Sequence, residues 1–424
     1  MKKITSLLAA LIMVFTLATG VQAQTVDTTI EKAISVSLNG EVVQFGDNKP
    51  LLEQDTTLVP AREIFEALGY AVAWDEVNGV VTAEKYGLSV ALKIGEATAY
   101  VNGIETALTA APKVINNTTY VPLRFISEAI GFDVKWQGTA RSVLLTKEAS
   151  KGYIWKVEKD GVEVHLLGSI HLGDAKMYPL RNEIEEAFDS SDHLVVEVNI
   201  AEVPDKQTAA EIQALQVYSD GTTLKDHVSA ETYARVQSFL EALELPTNTY
   251  DIFKPWAVQL DMVNFVAASS GYQGGLGIDM YYLNRAQLAN KPILELESYS
   301  SQLNIFDSYS KELQEQQVNE VLDGIFGTGD ATTATEPSID DLAGLWIQGD
   351  DAGLEELVAS MQESPEIYEK LLENRHAGML EKIEGYLSNE QKESYFVVAG
   401  YLHMLGEDGL ITQLKNKGYK VTRI

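Results

Sequence analysis

A block of sequence that returns after 62 residues forces the first third of this chain into a doubled architecture. Thr57-Leu58-Val59-Pro60-Ala61-Arg62 reappears as Thr119-Tyr120-Val121-Pro122-Leu123-Arg124. The register holds through Glu66/Glu128, Ala67/Ala129, Gly69/Gly131, Val72/Val134 and Trp74/Trp136. Leu38-Asn39-Gly40 has a matching Val101-Asn102-Gly103, slipped by one residue. Each copy reads the same way. An Asn-Gly turn closes a short hairpin, and a proline stands near a helix start, where its missing N–H costs nothing. Ile64, Phe65 and Leu68, answered by Ile126 and Ile130, form an apolar stripe. Gly69 or Gly131 stops the helix, and a strand ending in tryptophan follows. Neither unit is large enough to sustain a core alone, so the pair predicts one small α+β domain, assigned to 34–147.

The N-terminus predicts export. Lys2 and Lys3 precede an apolar run from Ile4 to Ala18, and Val21-Gln22-Ala23 supplies the small residues a signal peptidase reads. A signal peptide over 1–23 and a linker over 24–33 are therefore expected. The run is short of the ~20 residues a bilayer span needs. No other segment predicts a membrane span after signal removal. Cysteine is absent, which rules out disulfides, thiolate metal sites and cysteine nucleophiles and suits a secreted or surface-associated bacterial protein. A formal charge of −30 makes nucleic acid a poor partner.

From about Lys151 the pattern changes to apolar strands alternating with helices, which predicts an α/β domain with flanking helices over 151–424. Strands are expected at Tyr153–Val157, Val162–Leu167, Leu194–Val198, Pro292–Leu296, Tyr395–Ala399 and Tyr419–Ile424. Helices dominate between Ala209 and Leu288, and 326–340 reads as an exposed loop. Two strand ends share a signature: Gly168-Ser169-Ile170-His171 and Gly400-Tyr401-Leu402-His403. Glycine lets the chain leave the sheet sharply, and ligands bind beyond the carboxyl ends of such strands. Glu197, expected inside a third strand, is costly to bury without a cation or a donor. His171, His403 and Glu197 together form a possible first shell for a divalent metal with open positions. The remaining histidines carry less. His165, His193 and His227 read as structural or solvent-facing. There is no His-Glu-x-x-His, no phosphate-binding Walker loop and no Gly-x-Ser-x-Gly elbow.

The doubled Val-Pro-x-Arg … Glu-Ala-x-Gly … Val-x-Trp pattern resembles the N-terminal domain named after copper amine oxidases, found in exported Gram-positive proteins. The segment has neither histidine nor cysteine, so copper is not implied. Arg62 and Arg124 read as structural, and the domain as a targeting or binding module. The second half resembles the TraB/GumN family, which includes Tiki-type metalloproteases and is distantly similar to erythromycin esterases. The resemblance rests on Leu167-Gly168-Ser169-Ile170-His171, Val196-Glu197, Gly277-Ile278-Asp279 with Lys291-Pro292, and Leu296-Glu297 with Gln302. Gly400 to His403, running into Gly406-Glu407-Asp408-Gly409-Leu410, completes it. The resemblance implies a mixed sheet and a hydrolase-like site centred on His171, His403 and Glu197, with a divalent ion (manganese, cobalt or zinc) in the Tiki branch. It also implies an Arg-Asn pair, met here by Arg375 and, as a departure, His376. Arg375 would hold a substrate carboxylate or stabilise an oxyanion, and Glu197 would be either ligand or base. Asp279 reads as a helix cap, and Glu297 and Gln302 as links between the following helix and the sheet, with a direct role in the site equally open for all three. Three functions are thus open: metal-assisted hydrolysis of a peptide or related acyl bond at the cell envelope, metal-independent hydrolysis, and ligand binding or signalling without turnover.

Overall fold

The computed structural model describes residues 33–85, 87–327 and 337–424. The expected signal peptide, nearly all of the expected linker and most of the expected 326–340 loop lie outside them.

The repeat builds the first domain by interlocking its two copies. Thr56–Pro60 pairs antiparallel with its counterpart Thr118–Pro122, Val59 opposite Val121, at the centre of a four-stranded sheet. Each strand runs into a seven-residue helix, Ala61–Ala67 or Leu123–Ala129, with Pro60 or Pro122 at the N-cap. Gly69 and Gly131 take φ of +81° and +83°, so a left-handed residue does end each helix as the sequence predicts. Two further sheets, of five and four strands, flank this unit. Asn39-Gly40 and Asn102-Gly103 turn hairpins with positive φ at both positions, the geometry that asparagine and glycine tolerate. Ile64, Phe65 and Val59 share one core with Ile126, Leu123 and Val121. The domain is β-rich, with only these two short helices among its described residues.

The second domain carries a six-stranded mixed sheet. Its order is Ile293–Glu295, His193–Val196, Tyr395–Gly400, Val162–Ser169, Tyr153–Lys159, Lys420–Arg423. The first four strands run parallel and the last two pair antiparallel. Val195, Val397, Leu166 and Phe396 are fully buried, as expected of strands covered on both faces. Trp346, on the Ile339–Gln348 helix, is fully buried and donates its indole N–H to the Gly168 carbonyl at 2.7 Å. The helices Ala230–Ala242, Pro255–Ser269 and Lys311–Phe326 pack around a separate small core. Among the described residues no helix is long and apolar enough to cross a membrane.

Candidate active site at the strand ends

Three neighbouring parallel strands deliver the expected side chains to one rim. His171 follows Val162–Ser169, His403 follows the adjacent Tyr395–Gly400, and Glu197 follows His193–Val196 on the far side of that strand. Glu197 stands one residue past its strand, not inside it as expected. The Val195-to-Val198 apolar run hides that end, because the pairing continues as loop bonds: Leu296 N–H to Val196 O and Glu297 N–H to Glu197 O, each 2.8 Å. His171 is near enough for its charge to bear on both Glu197 and His403.

His171 is held by Asp279, for which the sequence left a helix cap and a part in the site both open. Asp279 does not cap its helix, Ile278–Ala289, whose N-cap is Gly277. Instead, buried in the first turn, it accepts from Ser169 Oγ at 2.8 Å and faces His171 Nδ1 at 2.9 Å. An ionised carboxylate can only accept, so Nδ1 carries the proton and Nε2 points away from Asp279. The Asp279 charge raises the His171 pKa to about 9. The imidazole itself is 61% exposed, so it meets solvent as an imidazolium at neutral pH.

Two glycines make this contact possible by close approach. A Cβ on Gly277 would lie 2.1 Å from the His171 carbonyl oxygen, and one on Gly173 equally close to the Leu276 oxygen. The loop after His171 thus lies backbone-to-backbone against the start of the Asp279 helix, with Ile278 N–H donating to Ile170 O. Gly277→Ala is expected to cost about 1–3 kcal/mol, as overpacking does, and to part His171 from Asp279. Chemical denaturation and the His171 NMR titration, whose midpoint should fall from about 9, check this.

His403 is the opposite case. Its ring is 4% exposed, and burial, opposed by Glu197, drives its pKa down to about 3. It is a neutral imidazole. Its Nε2 stands 3.9 Å from Glu197 Oε1 and its Nδ1 3.0 Å from Nε2 of the buried His376, which burial likewise keeps neutral, at about 4. His376, the departure from the resembled pattern, is therefore the ring that fixes His403. No spacing in the sequence announces that contact.

Glu197 is saturated with donors. Oε1 accepts the Gly400 N–H at 2.6 Å, and Oε2 accepts Gln302 at 2.8 Å and Arg375 Nη2. Burial would raise its pKa, but His403, Arg375, His171 and the Gly400 N–H outweigh it and hold the carboxyl near 2. Arg375 also forks onto Glu297, with Nε 2.9 Å from Oε1, and donates to Leu371 O at 3.0 Å. The helix preceding it passes through a π-turn at Glu369–Glu373, a distortion often found at functional sites. Arg375, expected to face a substrate, is 10% exposed and neutralised by two carboxylates. Gln302 donates to both of them.

The donor set can be tested against a divalent ion. Each imidazole has its Nδ1 fixed by a partner, as ligating histidines require. The third expected ligand does not fit: both Glu197 oxygens are taken, and a guanidinium beside them repels a cation. Among the described residues no group of three or more His, Asp or Glu side chains could hold a metal. His165 is buried and His193 half-buried, while His227 stacks on Tyr218 with ring centroids 4.0 Å apart; none belongs to the site.

Comparison with known proteins agrees with both halves. Residues 153–423 match the TraB/PrgY/gumN family, and 37–145 match the copper amine oxidase N-terminal domain. A "Protease inhibitor" of Brevibacillus choshinensis is 29% identical over 115 residues, 27% of this chain and 34% of that protein. The "Uncharacterized protein YbaP" of Escherichia coli is 24% identical over 139 residues, 33% of this chain and 50% of that one. An uncharacterised protein of Treponema pallidum is 21% identical over 178 residues, 42% of this chain and 52% of its own. The chain spans about half the length, or less, of each of these relatives.

Proposed function

Because the chain belongs to the TraB/PrgY/gumN family, we propose that it is a hydrolase of peptide or related acyl bonds, acting outside the cytoplasm. The observation that carries this reading is a pair of imidazoles at neighbouring strand ends whose surroundings drive their pKa values apart, to about 9 for His171 and about 3 for His403. Such divergence separates an acid from a base. Water attacks the carbonyl carbon while the Nε2 lone pair of neutral His403 takes its proton. Glu197, 3.9 Å away, stabilises the imidazolium that forms. His171, held by Asp279, gives its Nε2 proton to the leaving nitrogen as the C–N bond breaks. A proton returned through solvent from His403 to His171 resets both rings. Arg375 positions Glu197 and keeps it ionised.

Turnover of a peptide library by the exported protein tests this. His171→Ala is expected to lower the rate by about 10²–10⁴-fold, the usual worth of a positioned acid or base, and full activity in that variant defeats the proposal. The same assay after chelation, with manganese, cobalt or zinc restored, separates this mechanism from one using an ion on the two Nε2 atoms. Activity that survives chelation supports the imidazole pair. Activity that returns only with metal supports the ion.

A second reading, binding without turnover, is favoured by the similarity to a protein named a protease inhibitor. Saturable capture of a peptide with no product formed, with or without metal, would decide for it.

A further inference from the structure

Between the two domains lies a half-open cavity of about 390 Å³ that includes none of the residues of the proposed active site. Its first-domain wall is built twice over by the repeat. Lys85 and Lys147, related by the same 62-residue spacing, both line it. Lys85 Nζ donates to Leu68 O and Lys147 Nζ to Ile130 O, the carbonyls of the two helix C-caps, at 3.3 and 2.7 Å. Each ammonium also lies over the aromatic ring two residues further on: Lys85 5.8 Å from Tyr70, Lys147 5.5 Å from Phe132. Lys147 makes a second bond, 2.6 Å to Ala175 O in the other domain.

What distinguishes this pair is that no carboxylate pairs directly with it. In a chain with 62 acidic and 32 basic residues, neither lysine has a carboxylate within ion-pair distance among the described residues. Asp174, which acts on Lys147 from a distance, is engaged by Lys176. Across the cavity, Glu185 is bonded to Arg285 and Tyr281, so that wall is balanced. The remaining lining is largely apolar, with Leu68, Leu88, Ile130, Phe132 and Leu180. Of the three ammonium donors, Lys147 spends two on carbonyls and Lys85 one. Free donors therefore remain on both.

We propose that this interdomain cavity is a binding site for a small monocarboxylate with an apolar body, its carboxylate received between Lys85 and Lys147. The volume lies within the range of small-molecule sites, and an apolar lining with a few convergent polar groups is their usual make-up. Two amino groups opening on one partly buried space, neither paired with a carboxylate, favour an anion between them. Burial, with the charge of Lys85 adding to it, lowers the Lys147 pKa to about 7, which a bound carboxylate would reverse. A free fatty acid and the C-terminus of an apolar peptide share the required chemistry.

Isothermal titration calorimetry on the full chain tests the proposal, with octanoate and N-acetyl-leucyl-phenylalanine as probes and octanamide and the dipeptide amide as controls. Saturable binding of either carboxylate, at least tenfold tighter than its amide and weakened at least tenfold by Lys85→Gln, supports the site. Which probe binds identifies the source. Lys85→Gln removes one long bond and one distant ring contact, so its fold is expected to persist, and circular dichroism verifies this. Lys147→Gln should abolish binding if it folds. No saturable binding of either carboxylate, or equal binding of acid and amide, or unchanged binding in Lys85→Gln, overturns the proposal. None of these outcomes depends on hydrolysis.

Discussion

Arg375→Ala is expected to destabilise the C-terminal domain by about 3–5 kcal/mol, the usual cost of removing one partner from a buried ion pair. The guanidinium is 10% exposed and faces Glu197 and Glu297, 5% and 12% exposed. Without it the two carboxylates keep only Gln302 and the Gly400 N–H as strong donors. The loss should depend on pH with a definite sign. Burial raises the Glu197 carboxyl, but His403, Arg375, His171 and Gly400 together hold it near 2, below the ordinary 4.5. A depressed carboxylate contributes stability that is present above 4.5 and disappears as pH falls through 2. Deleting Arg375 lets that pKa rise, so the mutational penalty should be largest at neutral pH and shrink towards pH 4. Urea unfolding of both proteins at pH 7 and pH 4 measures this. A difference under 1 kcal/mol at pH 7 would mean the network is solvated.

Asp279→Asn is the second large effect, and it acts on charge more than on shape. Asparagine can still accept from Nδ1–H, but it carries no charge. His171 should therefore titrate near its ordinary 6.5 instead of about 9. Histidine NMR titrations resolve such a displacement directly. A raised imidazole pKa adds stability that is complete below 6.5 and is lost as pH rises through about 9. The pH dependence of stability across that window should flatten in the variant. On the proposed mechanism, the limb of the pH–rate profile that requires protonated His171 should move down with it. A His171 midpoint that stays near 9 in the variant would remove Asp279 as the cause.

Much of this was legible because it is written in local or periodic signals. Gly168 and Gly400 marked two strand ends, and a glycine is required at the first: a Cβ on Gly168 would lie 2.9 Å from the Tyr401 Cα. The repeated proline, glycine and tryptophan positions fixed a doubled domain, since each unit buries its apolar face only against the other. Asp279 could not be assigned from the sequence because an acidic residue early in a helix often serves the helix. Its partner is brought in by backbone approach at Gly173 and Gly277, which no periodicity records. Arg375 was read as facing substrate because an arginine near a predicted site suggests an anion. The carboxylates it meets, Glu197 and Glu297, stand just past the ends of strands distant in sequence.

The sequence alone predicted a doubled module followed by an α/β module, and named the strand ends from which His171, His403 and Glu197 come. Those follow from side-chain alternation, turn chemistry and the need to bury apolar faces, all properties of short segments. Only the tertiary structure decided the protonation of each ring. It also decided which acid Arg375 neutralises and that two repeat-related lysines open on one cavity between domains. Charge states depend on burial and on neighbours brought together by packing, and electrostatic energy follows distance in space and not separation along the chain.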